Sequence, residues 1–246
     1  MLSYTRDHSI IGNVYMTKAV FFDLYYTLIR YDPSREELLK QLLEGYGMEA
    51  SLEAIRQGLS VADDFFYREQ SRLPLSRRPA EERITIYIQH QEITLKEAGI
   101  HTSKQLTSEL LGKMRQLDLK LALYDDVIPA LTELKERGLI LGSISNVDKD
   151  ISPVFEELGI YKLLQIVVTS LETGFGKPEP EIFQEALRRA KVAAPEAIFI
   201  GDQYQIDVVG ANRAGMKGVL LDRNNGFKEI VDCPRIQSLS EIVSLL

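Results

Sequence analysis

Among the 246 residues there is one cysteine, no tryptophan, and histidine only three times. A lone thiol, Cys233, can neither close an internal disulfide nor build a thiolate metal centre. No apolar run approaches the ~18 residues that a membrane span needs. Positive charge is in short supply: Lys and Arg total 29 against 36 Asp and Glu, a formal net charge of −7. Such an acidic surface is a poor general grip for nucleic acid or anionic lipid, so neither is expected as a partner. His8, His90 and His101 share no ligand-like spacing and read as surface or helix-face residues. Residues 1–15 lack the basic start and apolar stretch of a secretory signal. They read as an N-terminal extension ahead of Met16, and a cytoplasmic location is the default expectation.

What remains is ordinary globular composition, 45% apolar and 26% charged, in a chain long enough for a core domain plus a smaller one. Residues 18–24 form an apolar run ending in an acid, the pattern of a strand buried on both faces. From Pro33 the periodicity turns helical. Ser34 and Glu37 predict a capping box, with Gly45 and Gly47 as the stop. Residues 51–72, 80–98 (stopped by Gly99) and 103–119 predict three more helices, and the proline-broken stretch SRLPLSRRPAEER predicts a loop. After residue 121 the chain alternates: helix 126–137, strand 139–145, helix 153–158, strand 165–169, helix 181–191, strand 197–200, helix 206–214, strand 218–221 and a last helix over 239–246. The expected fold class is α/β, a Rossmann-like parallel sheet core with helices on both faces, plus an all-helical unit. The core would be residues 16–32 and 121–246. The insert, 33–120, is too long for a crossover and predicts a separate lobe.

Ligands of such sheets bind beyond the carboxyl ends of the strands, and here those ends carry polar residues. The first offers Asp23 and Thr27, the second Ser145 and Asn146. A later loop offers Lys177, and the fourth strand ends in Gly201, Asp202 and, five residues on, Asp207. Carboxylates with oxygen ligation suit magnesium. The ammonium with hydroxyl and amide donors suits a phosphoryl group. Each residue has a plain reading when taken singly. Asp23 can cap a turn, Gly201-Asp202 is a common turn dipeptide, and Lys177 before Pro178 can be a solvated loop residue. Four such features in one order are hard to ascribe to chance. Arg72, Arg77, Arg78 and Arg83 read as a solvated loop rather than a substrate guide, and Phe65, Phe66 and Tyr67 as helical-lobe core.

In order and spacing these four elements resemble the haloacid dehalogenase superfamily, in the branch with a helical cap inserted after the first strand. The resemblance covers nearly all of the chain beyond residue 16. It implies Asp23 as the nucleophile that forms a covalent aspartyl intermediate. Thr27, Ser145, Asn146 and Lys177 would complete the catalytic set, with Tyr25, Ser145, Asn146 and Lys177 facing a small phosphorylated or haloacid substrate. Magnesium would sit on Asp23, Asp202 and the backbone carbonyl of Tyr25, with Asp207 behind them. Two positions depart from the family's phosphatases. The acid that usually follows two residues after the nucleophile is Tyr25, and the usual glycine is Tyr26. Tyrosine at 25 is the pattern of 2-haloacid dehalogenases, whereas Gly201-Asp202-Gln203 follows the phosphatases. The resemblance therefore implies a magnesium-dependent phosphatase first. A halide-releasing hydrolase and a catalytically weak binding relative are the alternatives.

Overall fold

The computed structural model describes residues 16–117, 120–147 and 150–246; the extension read over 1–15, with His8, lies outside them. Chain order is β1 (Ala19–Phe22), β2 (Ile29–Asp32), α1 (Arg35–Gly45), α2 (Leu52–Arg72), α3 (Ala80–Glu97), α4 (Lys104–Gln116), β3 (Lys120–Leu123), α5 (Val127–Glu136) and β4 (Ile140–Ser145). Then come α6 (Ser152–Glu157), β5 (Ile166–Thr169), α7 (Ser170–Thr173), α8 (Pro180–Ala190), β6 (Ala197–Gly201), α9 (Val209–Arg213), β7 (Lys217–Leu221) and β8 (Arg235–Ile236). Among the described residues, six strands form one parallel sheet in the order β5-β4-β1-β6-β7-β8. β1 is wholly buried and alternates between two apolar clusters. Val20 and Phe22 pack with Leu131 and Phe155, while Ala19 and Phe21 pack with Ile182 and Phe183. A strand covered on both faces carries no polar side, which is why it reads as a continuous apolar run.

The helical segment begins as its capping signal demands. The Ser34 hydroxyl accepts from the Glu37 amide and the Glu37 carboxylate accepts from the Ser34 amide. Ser51 and Ser103 cap α2 and α4 in the same way through their hydroxyls. Leu39 and Leu43 of α1, Ile55 and Leu59 of α2, Leu95 of α3 and Leu110 of α4 form a separate apolar cluster. At the α2–α3 contact, a Cβ on Gly58 would fall 2.3 Å from the Thr94 carbonyl oxygen, so the absent side chain is what lets the helices close.

Several sequence expectations change. β2 and β3 form an antiparallel pair at the entry to and exit from the helical segment, Ile29 opposite Leu123. The last helix is a 3-10 turn over Leu239–Leu245. Residues 206–214 split into a π turn, Tyr204–Val208, followed by the short α9. The basic loop is not all solvated. Arg78 is buried, donating to the Leu73 and Glu69 carbonyls and to Glu82, and so ties the end of α2 to the start of α3. No helix among the described residues is long and apolar enough to cross a membrane.

Candidate active site

β1 lies between β4 and β6, so their carboxyl ends meet at the middle of the sheet, where ligands of open parallel sheets bind. Asp23 follows β1 directly and its amide donates to the Ile200 carbonyl at 2.8 Å, which fixes it against β6. The chain then turns tightly. The amides of Leu28 and Ile29 both donate to the Leu24 carbonyl at 2.9 Å, and Tyr26 takes φ 63°, a left-handed conformation costly for an aromatic residue. Residues in such conformations cluster at functional sites.

From the other strands, Ser145 ends β4, Asn146 follows it, and Asp202 follows β6. Lys177 arrives on the loop ahead of α8. Its peptide is held on both sides by Asn146, whose Oδ1 accepts from the Lys177 amide at 2.7 Å and whose Nδ2 donates to the Lys177 carbonyl at 2.8 Å. The lysine Nζ donates to Asp23 Oδ1 at 2.5 Å and to Asp207 Oδ1 at 2.6 Å. The other Asp207 oxygen accepts from the Gln203 amide at 3.0 Å. Asp207 is fully buried inside the π turn, and Gly201 makes room for it: a Cβ there would lie 2.2 Å from Asp207 Oδ2. Single π turns are frequent at functional sites.

The electrostatics follow from burial. Desolvation raises the Asp23 carboxyl to about 6, although the adjacent Lys177 pulls it down. Burial would lower Lys177, but Asp207 and Asp23 outweigh it and hold the ammonium up at about 12. Asp202 is pushed well above the carboxylate range by burial and then by the charges of Asp23 and Asp207.

Oxygens of Asp23, Asp202 and Asp207 lie within 4.8 Å of one another, and Asp202 Oδ1 is buried with no hydrogen-bond partner. A buried carboxylate oxygen left unmet by the protein, in an all-oxygen cluster, fits a hard divalent cation. Asp23 and Asp202 are the residues that would hold it, because both Asp207 oxygens are engaged elsewhere. The Thr27 hydroxyl is also buried and unpartnered. Its carbonyl accepts from Arg223 at 2.8 Å, and Arg223 makes a two-point ion pair with Asp126 at 2.8 and 3.0 Å. Asp126 also accepts from the Ser238 hydroxyl and the Leu239 amide.

Asp23, Tyr25, Ser145, Asn146 and Lys177 line one side of a cleft of about 300 Å³. The far wall was not legible as part of a site. Arg35 of α1 pairs with Asp63 of α2 at 2.7 and 3.0 Å, and His90 Nε2 lies 2.9 Å from the same carboxylate. His90 is thus half-buried and partnered, a helix-face histidine of α3 rather than a surface one. Phe66 and Tyr67 line the cleft rather than filling the lobe's core. The signal was present on α2: Asp63, Phe66, Tyr67 and Gln70 recur at i, i+3, i+4 and i+7, a polar–aromatic continuation of one helix face. A larger, shallower depression of about 560 Å³ lies over the α1–α2 turn, between Lys40 and Ser51, and gathers no comparable set of groups.

The haloacid dehalogenase-like hydrolase family model matches residues 17–215, and the chain belongs to that family. It is 32% identical over 213 residues to a glyceraldehyde 3-phosphate phosphatase of Methanopyrus kandleri, covering 85% of each. It is 30% identical over 243 residues to the enzyme of that name from Methanothermobacter thermautotrophicus, covering 94% of this chain and all of that one (100%). Among solved structures, a HAD phosphatase from Thermococcus onnurineus is 25% identical, with TM-score 0.56 over 93% of this chain and 97% of that one.

Proposed function

We propose that this hydrolase is a magnesium-dependent phosphatase that cleaves a small phosphorylated metabolite through an aspartyl-phosphate on Asp23. The observation that carries the reading is the joint geometry of Asp23, Lys177 and Asp207 beside the unpartnered oxygen of Asp202. Both archaeal relatives are named for hydrolysing a small phosphate ester, which supports phosphate-ester hydrolysis here. Lys177 keeps Asp23 ionised and aimed. A carboxylate oxygen of Asp23 attacks phosphorus as the ester P–O bond breaks, and water then hydrolyses the acyl phosphate to inorganic phosphate and free Asp23. In this reading Ser145, Thr27 and Lys177 meet charge on the transferring oxygens. Bound magnesium would supply further neutralisation of that charge. Asp207 does not ligate in this reading; it fixes Lys177.

Phosphate release from a panel of metabolite esters, abolished by chelator and restored by magnesium, is the expected result. Asp202→Ala should weaken magnesium binding about tenfold or more by calorimetry. A second reading rests on Tyr25, which stands where phosphatases carry their acid. Halide release from 2-haloacids that ignores chelator would establish it in place of the first, and tight phosphate-ligand binding without turnover would mark a weak binding relative.

A further inference from the structure

Two groups of aromatic rings face the same cleft. Tyr25, Tyr26 and Tyr31 come from the turn after β1 and from β2, with Tyr31 5.8 Å from Tyr25 and 6.2 Å from Tyr26 between ring centroids. Phe66, Tyr67 and Tyr87 come from α2 and α3, with Phe66 5.9 Å from Tyr67 and 5.8 Å from Tyr87. Within each group the rings hold one another in tilted or edge-on contact, which fixes their orientation before any ligand arrives. At about 300 Å³ the cleft is at the lower end of the range for small-molecule sites, room for one ring rather than a chain of them.

The charge of the lining is equally selective. Beyond the phosphoryl end, the lasting cation is Arg35, and both its terminal nitrogens are committed to Asp63, which also takes His90. A second anionic group on the substrate would therefore meet a neutralised cluster and a carboxylate. Burial keeps the hydroxyls of Tyr31 and Tyr67 protonated, so they present neutral faces. Finally, the residue two after the nucleophile is a phenol and not a carboxylic acid. An alkoxide leaving group needs a proton that such a residue gives poorly; a phenoxide leaves without one.

We propose that the cleft is built for a phosphate monoester whose leaving group is an uncharged aromatic ring bearing the ester oxygen. The inference rests on the phosphatase reading above and names its substrate class. Asp23 forms the new bond to phosphorus, the P–O(aryl) bond breaks, and its electron pair leaves as phenoxide, which takes a proton from water. A second water releases phosphate from Asp23. The ring lies between the two aromatic groups, and the missing acid becomes a filter against alkyl esters.

Four esters separate the two parts of the proposal: phenyl, cyclohexyl, benzyl and cyclohexylmethyl phosphate, assayed with magnesium for kcat/KM. Phenyl should exceed cyclohexyl phosphate by about a hundredfold or more, the size of a missing general acid. Benzyl should exceed cyclohexylmethyl phosphate by roughly two- to tenfold, the contribution of ring contacts at equal leaving group. Phe66→Leu should bring the second ratio towards one. Ratios near one for both pairs in the unmodified protein, with phosphate released from all four, overturn the proposal and leave the phosphatase reading standing. If none of the four releases phosphate while a metabolite ester does, the proposal is overturned and the phosphatase reading stands; if no metabolite ester does either, the phosphatase reading fails. Binding of benzylphosphonate against cyclohexylmethylphosphonate by calorimetry then still decides the ring preference, and equal affinity overturns it.

Discussion

Asp207 holds the Lys177 ammonium with one oxygen and the Gln203 amide with the other, inside a π turn that Gly201 makes room for. A methyl at 201 would sit 2.2 Å from that carboxylate. Gly201→Ala should therefore destabilise the protein by ~1–3 kcal/mol, the usual range for overpacking, read as a lower urea midpoint, and should impair turnover as Lys177 loses its anchor. Gly45→Ala is the control: nothing lies within 4 Å of a Cβ there, in a helix, and a gain of ~0.5–1 kcal/mol is expected. Asp23→Asn removes the attacking oxygen's charge, and phosphate release from every ester should vanish while circular dichroism stays native. Residual turnover in a contamination-free preparation would place the nucleophile elsewhere.

Between elements, one carboxylate joins three helices. Asp63 on α2 pairs with Arg35 on α1 and His90 on α3, and the Arg35 guanidinium also lies 4.5 Å over the Tyr26 ring in the turn after β1. Burial alone would raise Asp63, but Arg35 and His90 outweigh it and hold it at about 2. Because the folded value is depressed, the stabilisation is present above the ordinary carboxylate pKa of ~4 and is lost as pH falls through about 2. Removing it in Asp63→Asn should cost about 2 kcal/mol near neutral pH. Thermal melts of the two proteins should differ at pH 7 and converge between pH 4 and 2. A gap that persists unchanged at pH 2 would mean that the ion pair is not its source.

The same contrast explains what was legible beforehand. Helices announced themselves through local chemistry, Ser34 with Glu37 and Ser51 or Ser103 ahead of an apolar stripe, and β1 through its unbroken apolar run. β2 and β3 did not, because Ile29–Asp32 and Lys120–Leu123 are four residues each and acquire their pairing only across ninety residues of intervening chain. Asp23 and Asp202 were readable as polar residues at strand ends, with Lys177 on a later loop and Asp207 five residues beyond Asp202. Arg35, Asp63 and His90 lie on three different helices, and only the packing of those helices brings them to one point.

For the molecule as a whole, the sheet is supported by two large apolar clusters and the four helices by one much smaller cluster. Local stability follows the extent of buried apolar contact. Hydrogen exchange should therefore proceed faster in α1–α4 than in β1, β4 and β6, which lie at the sheet centre. Equal protection of both sets would show that the lobe and the sheet open as one cooperative unit.

The Thr27 carbonyl hangs on Arg223, Arg223 on Asp126, and Asp126 on Ser238 and the Leu239 amide. The nucleophile's turn is thus moored to Ser238 and Leu239, remote from it in the sequence, and this bears on handling the protein at the bench. Trimming from Ser238 onward would strip Asp126 Oδ2 of two of its three donors and leave Arg223 alone to hold the carboxylate.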